Sequence, residues 1–267
     1  MATTTAATPG WNRGIRVTEQ APAGSLMATG GAVPAFAPAP TGRWTTATVE
    51  SVVHPTDHTV ILRLDVKDRI DHLPGQHYVV RLRADDGYTA QRSYSVASPP
   101  SDPLVELWVD RIPDGEVSPF LADVVAPGDE LEVRGPIGGW FVWDAAMPAV
   151  GVAGGSGAVP LVAMLRHARA MGRPGLLQLA VSARSLADLP FPDELADAGA
   201  LIALTRADHG DRPAGRLTVP ELRPLATCHE TTFVCGSAGF AEFASRLLVD
   251  LGCESADVRV ERFGPSG

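Results

Sequence analysis

The feature that most constrains the fold is a change of sequence pattern near Met147. Between Arg43 and Trp143, short runs that alternate apolar and polar residues, or are rich in β-branched residues, predict strands. These runs are TTATVESVV, TVILRLDV, HYVVRLRA, VELWVD and ELEVRG. About six strands at this spacing predict a small antiparallel β-barrel, which we assign to residues 43–145.

The segments between these runs contain the glycine, proline and aspartate residues that turns require. One helical turn, SPFLADVV, interrupts the strands. Its first residue, Ser118, is predicted to be the N-cap, and Pro119 is predicted to be the first helical residue.

Beyond Met147, apolar strands alternate with segments of helical period. AVGVAGGSG, LLQLAVSAR, LIALTRAD, TTFVCGSAG and VRVERFG are predicted strands, several of which end in turns. VPLVAMLRHARAMG, DELADAG and FAEFASRLLVDLG lie between them and are predicted helices. This alternation predicts a parallel sheet with helices on both faces, an α/β nucleotide-binding domain over residues 146–267.

The composition excludes several function classes. The net charge of −9 over 267 residues disfavours binding to nucleic acids or anionic membranes. No run reaches the ~18 apolar residues of a membrane span, and the N-terminus lacks a secretory signal pattern. Three cysteines argue against a disulfide framework and an iron–sulfur cluster, and they indicate the cytoplasm. Residues 1–42, rich in Ala, Pro, Thr and Gly, are predicted to be disordered.

Two glycine-containing turns follow predicted strands of the parallel sheet. Gly154, Gly155 and Gly157 follow the first strand, where backbone N–H groups and a helix N-terminus can hold a pyrophosphate. Cys235 and Gly236 follow a later strand and are expected at the same sheet edge. The alternatives are a tight packing turn for the first and a small buried hydrophobic residue for Cys235.

In the barrel, the RSYS segment combines groups that suit a diphosphate and an aromatic ring. Arg92 can pair with a diphosphate, Tyr94 offers a flat aromatic face, and Ser95 offers a hydroxyl. The alternative is an exposed strand of alternating polar residues. Further along, GEVS opens the predicted helical turn and forms a second candidate anion site.

RSYS, GEVS, GPIGGWF, GGSGAVP, VCGSAGF and ERFG follow one another in this order. In this order they resemble the motifs of the ferredoxin–NADP reductase family, a match that covers about residues 43–267. The resemblance implies an FAD-binding barrel, an NAD(P)-binding domain and no fused iron–sulfur domain. Its implied cofactors are FAD and NADP, with NAD as the alternative.

The resemblance also implies roles for individual residues. Ser95, Cys235 and Glu261 would line the point of hydride transfer, with Ser95 facing flavin N5. The FAD contacts would be Arg92, Ser93, Tyr94, Ser95, Gly115, Val117 and Ser118, and the dinucleotide contacts Gly154, Gly155, Gly157, Pro160, Cys235 and Gly236. Phe263 would shield the flavin, although three residues follow Gly264 where the family often ends in an aromatic. Trp140 and Phe141 are expected to line the core or the crevice. For Glu261, the alternative is a salt bridge with Arg259 or Arg262.

Preference between coenzymes depends on residues that follow the second and third strands of the sheet. Ser182, Arg184, Thr205 and Arg206 occupy the positions where family members contact the adenosine end, and Arg216 follows nearby. Converging arginines would pair with a 2′-phosphate, so the sequence favours NADPH. The alternative is that all three arginines are solvated surface charges.

These residues together predict a flavoprotein reductase. It would take hydride from NADPH or NADH onto bound FAD and pass electrons to an external ferredoxin, flavodoxin or oxygenase component. The alternatives are a free-flavin reductase, which would use flavin as a substrate, and a non-catalytic docking module that retains the fold.

Overall fold

The computed structural model describes residues 43–226, 228 and 230–264. The predicted disorder of residues 1–42 lies outside this range, as do residues 265–267. Within it, the chain forms one antiparallel sheet of six strands, followed by one parallel sheet of five. Both predicted classes of sheet are therefore confirmed.

The first sheet has the strand order β4-β3-β6-β1-β2-β5. Its two edge strands meet where Val96, just after β4, forms an antiparallel bridge with Leu107 of β5. The sheet thereby curls on itself around an apolar interior that includes Leu62, Tyr78 and Leu131. The strands are β1 (Trp44–Thr56), β2 (Thr59–Val66), β3 (His77–Arg83), β4 (Thr89–Ser95), β5 (Val105–Asp110) and β6 (Glu130–Ile137).

A short helix, α1 (Ser118–Asp123), packs its Leu121 into this interior. The prediction that Ser118 is its N-cap is wrong. Val117 is the N-cap, and Ser118 is already the first helical residue. The Ser118 hydroxyl accepts a hydrogen bond from the backbone N–H of Ile112 instead, at 3.0 Å, so it ties down the preceding loop.

The second sheet is wholly parallel, with the strand order β11-β10-β7-β8-β9. The chain starts in the middle at β7, moves outward to β9 and then returns to β10 on the other side. The reversal lies between β7 and β10, the position where open sheets of this kind bind ligands. The strands are β7 (Ala149–Gly154), β8 (Leu177–Ala183), β9 (Leu201–Leu204), β10 (Thr231–Ser237) and β11 (Val258–Phe263).

Helices cover both faces of this sheet, as predicted. One apolar cluster joins α2 and α3 to one face, and a second joins α4 and α5 to the other. α4 was absent from the sequence prediction because it has only four residues. The helices are α2 (Ala158–Ala170), α3 (Pro192–Asp197), α4 (Val219–Leu222) and α5 (Ala238–Leu251). No helix of the described chain is long and apolar enough to cross a membrane.

One disulfide contradicts the prediction made from the cysteine count. Cys228 and Cys253 are bonded, with their Cα atoms 4.6 Å apart. The bond links the segment before β10 to the residue that follows the C-cap of α5. Cys235 is the free cysteine of the described chain. The cysteines therefore give no support to a reducing compartment.

The barrel and the parallel sheet are joined by close backbone packing at Gly75. A Cβ at this position would lie 1.8 Å from the carbonyl oxygen of Phe141, a distance that no side chain can tolerate. Its φ of +99° also lies in the left-handed region, which glycine adopts without strain. Beside it, the N–H of Trp143 donates to the carbonyl of Pro74 at 3.2 Å.

We expect Gly75→Ala to destabilise the protein far more than Gly87→Ala. Gly87 has a similar φ of +90°, but no atom lies within 4 Å of its added Cβ. The control should lose about 1 kcal/mol from backbone strain alone. Gly75→Ala should lose about 3 kcal/mol or more, because the overlap adds to that strain. Urea unfolding followed by tryptophan fluorescence measures both, and equal losses would show that the backbone crossing is not a constraint.

Candidate functional site

The two glycine turns of the parallel sheet pack directly against each other at its carboxyl edge. A Cβ on Gly157 would lie 2.3 Å from the carbonyl oxygen of Cys235. A Cβ on Gly154 would overlap the ring of Phe240, and Gly236 lies against the backbone of Gly154. The predicted convergence of these turns is therefore confirmed. It occurs where β7 and β10 separate, at the switch point of the sheet.

The first turn is shaped to leave its backbone accessible. Gly155 has a φ of +56°, and no atom lies within 4 Å of its added Cβ. Gly155–Gly157 forms a single 3-10 turn that leads directly into α2. Consecutive N–H groups at the start of a 13-residue helix form a site for a phosphate. Pro160 is buried in the first turn of α2, where a missing N–H costs no helical hydrogen bond.

Cys235 and Glu261 are paired in neighbouring strands β10 and β11. Cys235 is fully buried, and burial, reinforced by the charge of Glu261, raises the pKa of its thiol. Burial also raises the pKa of Glu261 to about 7. Oε2 of Glu261 is buried and has no hydrogen-bond partner within the described chain. The two groups therefore form a wall that is largely uncharged below pH 7 and becomes negative above it.

The alternative salt bridge for Glu261 is absent from the described residues. Arg259 turns the other way and donates to the backbone carbonyl of Val142 at 3.0 Å and to that of Trp140 at 3.3 Å. Its guanidinium lies 5.4 Å from the centre of the Trp140 ring. Arg259 thus joins β11 to the loop that follows the barrel and leaves Glu261 without a cation.

Strand β4 brings Arg92, Tyr94 and Ser95 to the end of the barrel. Arg92 donates to the carbonyl of Gln91 at 2.7 Å, and no acidic partner for it is found among residues 43–226, 228 and 230–264. Tyr94 is half-buried, and burial raises the pKa of its hydroxyl. Ser95 is 5% exposed, and its hydroxyl is buried without a hydrogen-bond partner. The end of β4 thus carries a guanidinium with no described acidic partner and, three residues on, a buried hydroxyl with no described partner, groups that fit a polar anionic ligand.

Two other predicted contacts differ in exposure. Ser93 is exposed and lies on the same strand face as Ser95, opposite Arg92 and Tyr94. Val117 is 1% exposed and packs in the barrel core, so only its backbone groups are available to a ligand. At Gly115 an added Cβ would lie 3.2 Å from the Ser118 hydroxyl, so the GEVS segment is tightly folded.

The residues predicted to contact the adenosine end gather along the carboxyl edge of β8 and β9. Ser182 pairs with Gly154 of the first turn. The backbone N–H of Thr205 donates to Ala183, and that of Arg206 donates to Arg184. Asp188 lies beside them. Its carboxylate accepts hydrogen bonds from Arg184 at 2.7 Å and from the hydroxyl of Ser185 at 2.6 Å.

Arg184, Arg206 and Arg216 are all exposed, which agrees with the alternative that they are surface charges. The guanidinium of Arg216 lies 5.4 Å from the centre of the Phe243 ring of α5. Of the other two, Arg184 is already paired with Asp188. No partner for the Arg206 side chain is found in the described part of the chain.

The two aromatic residues expected to line the core or the crevice differ in burial. Phe141 is buried and packs edge-to-face on Phe233 at 5.1 Å, as expected of a core residue. Trp140 is 62% exposed, which excludes the core and leaves the crevice as the expected place. Its ring lies against Arg259. Phe263 is partly buried and packs against the core below the crevice.

Gln76 was missed by the sequence analysis. Its side chain is buried, accepts from the N–H of Leu73 at 2.7 Å and donates to the carbonyl of Gly138 at 2.6 Å. Its own carbonyl accepts from Val96, the residue after Ser95. Gln76 thus fixes the end of β4. Its only sequence signal was its place after a Pro-Gly turn, a pattern too common to indicate a role.

Comparison with known proteins matches this arrangement. Residues 46–142 match the family model of the oxidoreductase FAD-binding domain. The reductase subunit of glycine betaine monooxygenase from Chromohalobacter salexigens is 31% identical over 72% of this chain and 56% of its own. The ferredoxin–NAD(P)(+) reductase component of a Pseudomonas putida naphthalene 1,2-dioxygenase system is 26% identical over 82% of this chain and 69% of its own. A ferredoxin–NADP(+) reductase structure from Neisseria gonorrhoeae superimposes with a TM-score of 0.68 at 20% identity, covering 82% of this chain and 98% of that one.

Residues 46–142 therefore belong to the oxidoreductase FAD-binding domain family, and the described chain folds like the Neisseria ferredoxin–NADP(+) reductase. The reductase component of propane 2-monooxygenase from Mycolicibacterium smegmatis is another relative, 28% identical over 78% of this chain. This chain spans 64% of that protein and 45% of its Gordonia counterpart. The match therefore covers less than two thirds of these relatives.

Members of this family would hold FAD against the barrel, and the residues present here fit that group. Ser95 offers a buried hydroxyl that lacks a partner, and Tyr94 offers a half-buried ring beside it. Arg92 offers a guanidinium that no described carboxylate neutralises. Three separate polar or aromatic groups on one strand end thus match a flavin joined to a diphosphate.

We expect Glu261→Gln to stabilise the protein above neutral pH and to leave its stability nearly unchanged at pH 5. The folded-state pKa of about 7 lies above the ordinary value of 4.5. Ionisation therefore favours the unfolded chain as pH rises between these values, and the wild type loses stability that the glutamine variant keeps. The difference at pH 8 should be about 2 kcal/mol. Urea unfolding at pH 5 and pH 8 measures it.

Glu242→Gln provides the control, because Glu242 lies on the surface of α5 and pairs with Arg246. Its effect on unfolding free energy should not grow between the two pH values. A Glu261→Gln variant with the same pH dependence as wild type would contradict the raised pKa of Glu261.

Proposed function

We propose that this chain is an NAD(P)H-dependent, FAD-containing reductase that delivers electrons to a separate protein acceptor. The observation that carries this proposal is the junction of two sites. A strand end on the barrel carries a serine hydroxyl and an arginine that have, respectively, no hydrogen-bond partner and no acidic partner among the described residues, and a double glycine turn lies at the switch point of the sheet. One suits a flavin dinucleotide and the other a nicotinamide dinucleotide.

On the barrel side, Arg92 and the backbone of Gly115–Ser118 would hold the pyrophosphate of FAD. Tyr94 would pack on the flavin ring, and Ser95 would donate its hydroxyl to a ring nitrogen. When bound, FAD supplies the ability to accept a hydride and to release electrons one at a time. The protein's part is to hold the ring still and to exclude water from it.

On the sheet side, Gly154–Gly157 would bind the coenzyme pyrophosphate at the start of α2. Cys235 and Glu261 would line the nicotinamide pocket. Burial raises the pKa of both groups, that of Glu261 to about 7, so about half of its carboxyl is protonated at neutral pH. A partly neutral wall attracts the positive charge of an oxidised nicotinamide less than a fully ionised one would, which favours release of that product.

The acceptor is proposed to be a ferredoxin, a flavodoxin or an oxygenase component. Several relatives are named as reductase components of monooxygenase or dioxygenase systems, which supports this class of partner. A cytoplasmic location is proposed on the ground that NAD(P)H is supplied there. The cysteines give no support to this location, because Cys228 and Cys253 form a disulfide.

The purified protein should be yellow and should oxidise NAD(P)H with ferricyanide as the acceptor. Arg92→Ala should weaken FAD binding at least about tenfold, because one charge-assisted pair is lost. Arg83→Ala is the control, since Arg83 is an exposed arginine on the neighbouring strand. FAD titration followed by fluorescence measures both affinities.

A colourless protein that cannot be loaded with FAD would end the proposal. Weak, freely exchanging flavin combined with full NAD(P)H oxidation would indicate a free-flavin reductase instead. Retained flavin with no coenzyme oxidation would indicate a docking module.

For the coenzyme, we propose that NADPH is preferred. The double variant Arg184→Ala, Arg206→Ala should raise the KM for NADPH about tenfold and change that for NADH less than about twofold. Steady-state kinetics with both coenzymes measure this ratio. Arg246→Ala on the surface of α5 is the control. Equal changes for the two coenzymes would refute a 2′-phosphate site at these arginines.

A further inference from the structure

Helix α2 carries an arginine that spans from the sheet to the barrel. Arg166 lies in the second half of α2, eight residues after the helix begins at Ala158. Its side chain is only 18% exposed, although an arginine at a helix surface is normally well solvated. The barrel residues that contact this side chain shield it from solvent.

Arg166 makes hydrogen bonds in both directions. Toward its own sheet, Nε and Nη2 form a two-point pair with the carboxylate of Glu194 in α3, at 2.9 and 2.5 Å. Toward the barrel, Nη1 donates to the carboxylate of Glu106 at 2.6 Å and to the backbone carbonyl of Ala97 at 3.0 Å. One planar group thus holds both units at once.

One of the barrel atoms that Arg166 binds, the carbonyl oxygen of Ala97, lies just beyond the end of β4, the strand proposed to contact the flavin. Ala97 lies two residues beyond Ser95, and its N–H donates to the carbonyl of Glu106 at 2.8 Å. The N–H of Val96 between them donates to the carbonyl of Gln76. Arg166 therefore closes a set of hydrogen bonds that fixes where Ser95 stands.

Apolar packing makes the same junction rigid. Ala97 and Trp108 from the barrel form one buried cluster with Val159 from the first turn of α2. Phe191 packs on Trp108 at 5.0 Å between ring centres, and the Arg166 guanidinium lies 4.4 Å from the centre of the Phe191 ring. The first turn of α2 and its arginine thus contact the barrel together.

We propose that Arg166 is a positioning residue for hydride transfer. α2 is rigid, and the Gly154–Gly157 turn proposed to bind the coenzyme lies at its start. Arg166 lies about 12 Å along the helix from that start, at a rise of about 1.5 Å per residue. By holding Ala97 and Glu106, Arg166 sets the separation between the nicotinamide and flavin sites. The inference rests on the proposed function, because the separation matters only if two rings must meet at ~3–3.5 Å.

The test compares Arg166→Met with Arg63→Met in the FAD-loaded protein. Arg63 also faces Glu106, at 3.8 Å, and pairs with Asp102 at 2.6 Å, but every one of these groups lies in the barrel. Both variants lose an arginine beside Glu106, and only one loses the link between the two sheets. Stopped-flow reduction at saturating coenzyme gives the limiting rate, and the long-wavelength charge-transfer absorbance reports ring stacking.

Arg166→Met should keep its FAD and its KM within about threefold, and lose at least about tenfold in limiting rate together with the charge-transfer band. Arg166→Lys should recover part of both, since an amine can still reach Ala97 or Glu106. Hydrogen exchange at the amides of Val96 and Ala97 should accelerate in Arg166→Met, with or without FAD. Arg63→Met should match wild type in all three readouts.

Glu106→Gln is the second variant, because it weakens the same link without removing the arginine. A wild-type limiting rate and charge-transfer band in both Arg166→Met and Glu106→Gln would overturn the inference, even where melting temperatures fall. If Arg166→Met does not fold, Glu106→Gln decides alone. A wild-type protein that binds no FAD would instead overturn the proposed function, and this inference with it.

Discussion

The structure depends on how closely two backbone turns approach each other at the carboxyl edge of the parallel sheet. Gly157 leaves no room for a Cβ against the carbonyl of Cys235, and Gly154 leaves none against Phe240. This contact places the start of α2 beside the end of β10. Because α2 is stiff, everything further along it, including Arg166, takes its position from that contact.

Close packing at this edge is accompanied by polar groups that lack partners. Ser95 and Glu261 both have buried oxygens without hydrogen bonds among the described residues. A buried polar atom without a partner destabilises a fold by about 1–3 kcal/mol. These two are among six such side-chain atoms in the described residues, and they are the two that belong to predicted cofactor contacts. A polar ligand bound at those contacts would supply the missing hydrogen bonds.

The sequence predicted most of the fold, because both kinds of sheet have short-range patterns. Alternation marks β2 and β3, and helical period marks α2 and α5, without knowledge of tertiary contacts. The errors fall where a distant residue decides. The Ser118 hydroxyl bonds to Ile112 rather than capping its helix. Cys228 and Cys253 meet only because α5 folds back along the sheet.

The same reason separates the predicted site residues from those that were missed. Arg92, Ser95 and Cys235 lie in short motifs, so the local sequence indicated them. Gln76 and Arg166 lie in unremarkable segments, and the contacts that distinguish them reach residues far away in the sequence. The exposure of Trp140 was likewise not indicated by its motif.

The distribution of charge along the crevice separates binding from chemistry. The end beside Ser182 and Thr205 carries Arg184, Arg206 and Arg216, which can attract the phosphate groups of a coenzyme from solution. The end beside Cys235 carries Glu261, whose pKa burial raises to about 7, and one arginine, Arg262, paired with Gly236 in the neighbouring strand. In the proposed complex, most of the coenzyme's charge pairing would therefore come from its distant phosphates. Binding energy spent far from the reacting atoms leaves the ring free to change charge as hydride departs.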